Sequence, residues 1–213
     1  MRVYIPATIS MLRRLVSDGE LRAVGGTAFA VTPALRESYA AGDTEELEYA
    51  AMADAARASL RLLASFDADG GSSAGGGGGV GRVADADDDG GTDGGGGTDG
   101  GGGAEAGGGA DAGGGADVEP ARRVVVCADI EDLRLRPDLD DGAVTLPGPV
   151  PGSAVAAVYV DLPEATDAVR AAAAVVDAAD LGDPDAEFTL GDADDHELAW
   201  YAPQEVPFLL ELL

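Results

Sequence analysis

The hydrophobic pattern before residue 67 predicts strands alternating with helices. A short apolar run near the N-terminus, ended by Pro6, is typical of a strand. Apolar residues then recur at helical spacing between Thr8, which can cap a helix N-terminus, and Gly19, which can end it. The predicted elements are a strand at 3–5, a helix at 9–18, a strand at 28–31, a short helix at 33–39 and a long helix at 43–65.

The long helix carries the clearest sequence signals. Asp43 and Glu46 have the spacing of a capping box, with Asp in place of Ser or Thr. An Ala-rich apolar stripe follows, which would let the helix lie close against the element it covers. The expected buried stripe is Leu47, Ala51, Ala55, Ala58 and Leu62, flanked by Met52 and Leu63.

The pattern after residue 120 predicts more strands and one long helix. The apolar run Val124–Cys127 is typical of a strand buried on both faces. Pro163 fits the first position of a helix whose apolar face would include Val169 and Val176. The further expected elements are strands at 143–146, 154–160 and 198–201, an edge strand around Phe188 and Leu190, and a short C-terminal helix from Pro207.

The order of these elements predicts an α+β fold. With the weaker elements set aside, it reads β-α-β-β-α-β, the pattern of a ferredoxin-like sandwich with extra short strands. Helices would then cover one face of a mainly antiparallel sheet. The alternative is a three-layer α/β open sheet.

A Gly- and Asp-rich insert separates the two groups of elements. We expect a single α/β domain with its first half at 1–66, a disordered insert at 67–120 and its second half at 121–213. Two fragments of the insert resemble calcium loops, Asp85–Gly90 and Gly94–Asp99. The first has Gly96 where a calcium loop needs a bidentate Glu, and the second lacks its apolar residue. A phosphate loop is not expected either, because the run follows a helix and contains no Lys.

Charge and composition exclude several classes of function. The formal net charge is −27, and all 13 basic residues are scattered Arg. A protein that binds nucleic acids or anionic membranes needs clustered positive charge, so neither is an expected partner. We expect a cytoplasmic protein, because the sequence shows neither a signal peptide nor an apolar run that could span a bilayer. The single cysteine excludes an intramolecular disulfide.

Reactive residues are few, and none forms a known catalytic motif. His196 is the only histidine, which excludes a histidine-based metal cluster. Cys127 lies in an apolar strand, where a buried, inert thiol is expected. Close carboxylates such as Asp194 and Glu197 arise by chance in a chain this acidic. We therefore predict no catalytic residue, no metal site and no cofactor.

Sparse aromatic and polar residues form the candidate ligand site. Aromatics make up only 5% of the chain, yet Trp200 and Tyr201 are adjacent. Such side chains favour interfaces and pockets, although they can also fill a core. The predicted set is Tyr4, Glu48, Tyr49, Trp200, Tyr201, Gln204 and Glu205. It favours a non-enzymatic binding or protein-interaction module, with a small enzyme that uses carboxylates and tyrosines in a cleft as the alternative. The expected partner is an unknown protein or small molecule, or a second copy in a homodimer.

Four segments resemble a known but uncharacterised family. They are 1–8 (MRVYIPAT), 27–36 (TAFAVTPALR), 45–52 (EELEYAAM) and 196–205 (HELAWYAPQE). They are similar to a family of small hypothetical proteins, a domain of unknown function, from high-GC actinobacteria. The resemblance implies an intracellular bacterial protein rather than a salt-adapted one, and a short loop in place of the insert. It implies no activity and no functional residues.

Overall fold

The computed structural model describes residues 1–39, 42–71 and 119–213. Met1–Ser72 and Glu119–Leu213 group into one compact unit. The two calcium-like fragments, Asp85–Gly90 and Gly94–Asp99, lie outside the described residues, as does most of the predicted insert. The boundaries of the predicted domain halves stay a prediction.

The described residues form nine strands and six α-helices. Those before the insert are β1 (Arg2–Ala7), α1 (Ile9–Asp18), β2 (Glu20–Leu21), β3 (Thr27–Phe29), α2 (Pro33–Ser38) and α3 (Thr44–Gly71). The later strands are β4 (Val124–Asp129), β5 (Arg134–Leu135), β6 (Ala143–Thr145), β7 (Val150–Pro151), β8 (Val155–Asp161) and β9 (Leu198–Tyr201). The later helices are α4 (Thr166–Asp180), α5 (Pro184–Asp194) and α6 (Val206–Glu211).

The predicted helix caps are present. The Thr8 hydroxyl accepts a hydrogen bond from the Met11 amide at 3.3 Å, and Gly19 ends α1 with a φ of 73°. At the start of α3, the Glu46 amide donates to the Asp43 carboxylate at 3.0 Å, and the Asp43 amide donates to Glu46 at 3.1 Å. These reciprocal bonds satisfy amides that the first turn leaves unpaired.

One antiparallel sheet organises the fold. Its seven strands lie in the order β5-β6-β3-β1-β4-β8-β9, while β2 and β7 form a separate pair. The α+β class is confirmed, and the main elements follow the predicted order β-α-β-β-α-β. The pairing of the strands differs from that of a ferredoxin-like sandwich, in which the strands of the two β-α-β units interleave in the sheet. The four main strands lie side by side in chain order, each antiparallel to the next.

Helices cover both faces of the sheet, not the single face expected. On the first face, Val3, Ile5 and Val126 pack under α1 and α6. On the second face, Tyr4 and Val125 pack under α2 and α3. The fold is therefore three-layered, as in the alternative topology, but its strands are antiparallel. The apolar run Val124–Ala128 within β4 follows from burial on both faces.

The predicted edge strand around Phe188 and Leu190 was wrong. These residues lie in α5, which begins at Pro184 after the Asp183 side chain caps its first amides at 3.0 and 3.1 Å. The buried positions are Ala186, Leu190 and Ala193, which have helical spacing, while Phe188 faces solvent. The expectation rested on apparent alternation across three residues, too few to separate a strand from a helix.

Two further features differ from the prediction, the end of β1 and the buried face of α3. Strand β1 continues through Pro6 to Ala7, because its pairing with β3 is confined to Tyr4 and Phe29. Proline therefore interrupts no ladder there. The second half of α3 buries Ser59, Leu60 and Leu63, a face rotated from the expected Ala58 and Leu62. The rotation follows from α4, since Leu60 and Leu63 pack in its cluster and not on the sheet.

Ser59 attaches α3 to the ends of two central strands, β1 and β4. Its fully buried hydroxyl donates to the Ala7 carbonyl at 2.8 Å and accepts from the Val124 amide at 3.1 Å. Ala7 and Val124 are the last paired residues of β1 and β4 at this end of the ladder. A side chain thus satisfies two buried backbone groups that water cannot reach.

We predict that Ser59→Ala lowers the free energy of unfolding by about 1–3 kcal/mol, because it removes two buried hydrogen bonds to the ends of β1 and β4. Urea denaturation measures the change. Ser65→Ala is the matched control, because the exposed Ser65 hydroxyl on the same helix bonds only the Arg61 carbonyl. Its expected effect is within about 0.5 kcal/mol. Equal effects of the two substitutions would contradict the role of Ser59.

Candidate functional site

A cavity lies between α3 and the last two strands of the sheet. Helix α3 covers β1, β3 and β4 on the second face, so that side chains of β8 and β9 extend past its edge. The cavity has a volume of about 240 Å³ and is open to solvent on one side. Its walls include Tyr49 and Met52 from α3, Tyr159 from β8, Asp194 from the end of α5, His196 and Glu197 from the α5–β9 connection, and Leu198 from β9. We call this cavity and its rim the α3–β9 groove.

A buried ion pair supports one wall of the groove. Arg123 is 1% exposed, and its Nη2 and Nε atoms donate to the Asp161 carboxylate at 2.8 and 3.0 Å. The backbones also pair here, since the Asp161 amide donates to the Arg123 carbonyl at 3.1 Å. Because β4 and β8 are antiparallel, the residue just before β4 meets the last residue of β8. Register alone therefore brings the two charges together.

The same guanidinium fixes the α5–β9 connection. Nη1 of Arg123 donates to the Asp194 carboxylate at 3.1 Å, and Nη2 donates to the His196 carbonyl at 2.7 Å. The strand that follows, β9, is thereby set in register with Tyr159 opposite Trp200. Sequence reasoning missed Arg123 and Asp161. The available signal was a charged residue directly next to each of two apolar runs, Arg123 before 124–128 and Asp161 after 155–160.

A second group of polar residues lies under the first turns of α3. The Tyr4 hydroxyl donates to the Glu48 carboxylate at 3.4 Å. Burial, aided by the Glu48 charge, raises the pKa of Tyr4, and burial also raises the pKa of Tyr159. Burial raises the pKa of the Cys127 thiol to about 11. These groups stay protonated near neutral pH, so they can donate hydrogen bonds but are not activated nucleophiles.

Four of the seven predicted ligand-site residues lie on the second face of the sheet or on the helix that covers it. Tyr4 and Glu48 contact each other beneath α3, and Tyr49 lines the groove from the same helix. Trp200 is the cross-strand neighbour of Tyr159, so that the two side chains lie on one face of the sheet. Trp200 is 58% exposed.

The other three predicted residues lie away from the groove. Tyr201 packs against the core on the opposite face of the sheet. Gln204 is exposed in the turn that follows β9. The Glu205 carboxylate accepts a hydrogen bond from the Ala202 amide at 2.8 Å, which makes it a cap for that turn. The assignment of the seven residues to a ligand site remains a prediction.

A second hollow adjoins the groove along α3. Its lining includes Tyr39, Glu45, Glu46, Tyr49 and Asp54, so Tyr49 stands between the two hollows. Burial and the nearby Asp140 carboxylate raise the pKa of Asp54 to about 6. Within the described residues, no three His, Cys, Asp or Glu side chains lie close enough together to hold a metal ion.

Comparison with known proteins gives one match. The model of a family of unknown function (DUF6912) matches residues 1–78 and 108–210. The chain belongs to this family. The DUF6912 match includes every element that builds the groove, and the unmatched residues 79–107 fall within the predicted insert. Curated proteins and solved structures gave no match. None of the described helices is long and apolar enough to cross a membrane.

We predict that Arg123→Met destabilises this DUF6912 domain by about 3–5 kcal/mol, because Asp161 is left as a buried charge without a partner. Urea denaturation of both proteins measures the loss. Arg61→Met is the matched control. The Arg61–Asp180 pair is about 40% exposed on each side, so its loss should cost about 1 kcal/mol or less. If R123M does not fold, the double substitution Arg123→Met, Asp161→Leu should recover a folded protein, since it removes both charges.

The raised pKa of Asp54 predicts a pH-dependent effect of Asp54→Asn. Because the folded state holds the Asp54 proton more tightly, this carboxyl stabilises the wild type below its ordinary pKa and loses that contribution as pH rises through about 6. Relative to wild type, D54N should therefore gain stability between pH 4.5 and pH 7.5. We expect about 1 kcal/mol, because solvent screens a partly buried group. Urea unfolding at both pH values measures it, and an unchanged difference would contradict the burial of Asp54.

Proposed function

We propose that this protein is a non-enzymatic binding module that takes a partner in the α3–β9 groove. The observation that carries the proposal is a pair of exposed aromatic side chains at a cavity. Tyr49 is 62% exposed on one side, and Trp200 projects beside the lining residue Tyr159 on the other. Exposed Tyr and Trp beside an apolar hollow are typical of interface anchors, since each adds a large contact area with few rotatable bonds.

The fixed geometry of the groove supports the same function. Arg123 ties the α5–β9 connection to the ends of β4 and β8, and Ser59 ties α3 to β1 and β4. Both walls of the groove, α3 and the α5–β9 connection, are therefore attached by hydrogen bonds to the central strands of the sheet. A partner would meet a surface that is already in place, which lowers the conformational entropy lost on binding.

The alternative is a small enzyme that uses carboxylate and tyrosine residues in a cleft. Its support is the 3.4 Å contact between the Tyr4 hydroxyl and the Glu48 carboxylate. The raised pKa values of Tyr4, Cys127 and Tyr159 weaken it, because a group that holds its proton near neutral pH is a poor base or nucleophile. Binding is therefore the function we favour.

We also propose a cytoplasmic protein from an actinobacterium, whose single domain, 1–66 with 121–213, is interrupted by the insert at 67–120. Composition supports the source, since all 13 basic residues are Arg. Pairing of β1 with β4 across the insert supports the single domain.

Affinity capture from a lysate of the source organism tests the binding function. We predict that proteins retained by the wild type are lost with the double substitution Tyr49→Ala, Trp200→Ala, because such anchors contribute about 2 kcal/mol or more each. Quantitative mass spectrometry of the retained proteins measures the loss. Phe188→Ala is the matched control, because this side chain is 74% exposed on α5, outside the groove. Equal retention by all three proteins would refute the proposed site.

A further inference from the structure

We infer that the partner of the α3–β9 groove is a basic, extended peptide segment that pairs with β9 and places an arginine or lysine side chain in the cavity. The inference rests on the proposed binding function and specifies the chemistry of the partner. Three independent features support it: the charge of the rim, the composition of the walls and the position of β9 in the sheet.

Acidic side chains line the groove and the hollow beside it. Asp194 and Glu197 line the cavity, and Glu45, Glu46 and Asp54 line the adjoining hollow. The one cationic side chain among the lining residues is Arg123. Its guanidinium is buried and donates to Asp161, Asp194 and the His196 carbonyl. The field at the rim therefore favours a cation, and a charge-complementary partner associates faster and excludes acidic competitors.

The walls suit a long cationic side chain better than a compact ion. Tyr49 and Tyr159 provide aromatic rings, and Met52 and Leu198 provide apolar surface. An aliphatic stem packs on such surface while its charged end reaches a carboxylate. Cations are also attracted to the face of an aromatic ring, by about 0.5–2 kcal/mol. At about 240 Å³, the cavity is smaller than the ~300–1,000 Å³ of pockets that enclose drug-sized ligands.

The position of β9 favours a peptide over a free polyamine. Strand β9 is the last in the described sheet, with β8 as its one partner there. The outer side of an edge strand presents alternate N–H and C=O groups, which an added strand can satisfy. Trp200 lies on this strand, so a side chain of an added strand could pack on its ring. A polyamine could use the carboxylates but not the backbone groups.

Charge also argues against a second copy as the occupant. Pairing β9 with its own equivalent would bring together two acidic rims on chains of net charge −27 each. Like charges opposed across an interface disfavour association. A basic segment removes this repulsion, and its affinity should fall as salt screens the charges.

The test uses the full-length protein and the fluorescence of Trp200, its one tryptophan. The probe is the acetylated and amidated peptide Val-Arg-Val-Arg-Val, in which alternation places both arginines on one face of a strand. We predict saturable binding with a blue shift of the Trp200 emission as the peptide covers the ring. Raising the salt from 50 to 300 mM should weaken binding several-fold. The charge-reversed peptide Val-Glu-Val-Glu-Val should not bind.

Single substitutions separate the two parts of the site. Tyr49→Ala and Glu197→Gln should each weaken the binding of the arginine peptide by about 3- to 30-fold. The first removes an aromatic ring face and the second removes a negative charge that would pair with arginine. Glu164→Gln is the matched control, since Glu164 is exposed before α4, away from the groove, and should leave the affinity unchanged. Equal effects of E197Q and E164Q would show a diffuse charge effect and would overturn the site.

Methylation of the peptide backbone tests strand pairing. Only alternate residues of an added strand direct their N–H groups toward β9. Two probes, N-methylated at the second or at the third peptide bond, should therefore differ at least tenfold in affinity. Equal affinity of the two probes, or competition by spermidine at concentrations similar to the peptide, would overturn a peptide strand in favour of a small-cation site.

Failure of this inference differs from failure of the binding function. If the peptide does not bind while lysate proteins still depend on Tyr49 and Trp200, the partner is not basic and the binding module stands. If the groove substitutions change neither result, both proposals fail. Light scattering of the protein alone checks the remaining occupant, since a stable dimer lost on Trp200→Ala would assign the groove to a second copy.

Discussion

The fully buried ion pair of Arg123 and Asp161 is the interaction on which both the sheet and the groove depend. Removing two charges from water costs several kcal/mol each, so such a pair persists only when nearly every donor and acceptor is used. Here the guanidinium contacts Asp161, Asp194 and the His196 carbonyl, and the Asp161 carboxylate also accepts from the Arg123 amide at 2.6 Å. An apolar pair could fill the same space. It would not connect β4, β8 and the α5–β9 connection through directional bonds.

The groove forms because the two halves of α3 pack on different neighbours, the sheet and α4. Its first half packs on the sheet through Leu47, Ala51 and Ala55, and its second half packs on α4 through Leu60 and Leu63. Small alanines bring the first half close to β1 and β4, where Ser59 reaches the backbone of both strands. A helix held so close to the centre of the sheet cannot also cover β8 and β9. Tyr159 and Leu198 are consequently left to line a cavity.

The sequence was informative at most positions where a local rule governs the structure, although the Asp183 cap of α5 was missed. Helix starts at Thr8 and Asp43 follow from capping chemistry, and each is present. Strand order and the helix layer on the first face depend on distant contacts, which periodicity does not encode. The candidate site was predictable in part for the same reason. Tyr49 and Trp200 drew attention as sparse aromatics, whereas Arg123 and Asp161 lie 38 residues apart and meet only through strand register.

The ion pair also affects the charge that the groove presents to a ligand. An unpaired guanidinium among the lining residues would attract anions, as arginines do in many phosphate and carboxylate sites. In this domain Asp161 neutralises Arg123, and Asp194 is bound to it through one oxygen while about half of its side chain stays exposed. Beyond the pair, the charges near the groove are those of Asp194, Glu197 and the acidic first turns of α3, together with Arg57, whose charge acts on Asp54 and Asp194. Because Arg123 is paired with Asp161 and buried, its charge is not presented to a partner, which is consistent with the cationic partner proposed for the groove.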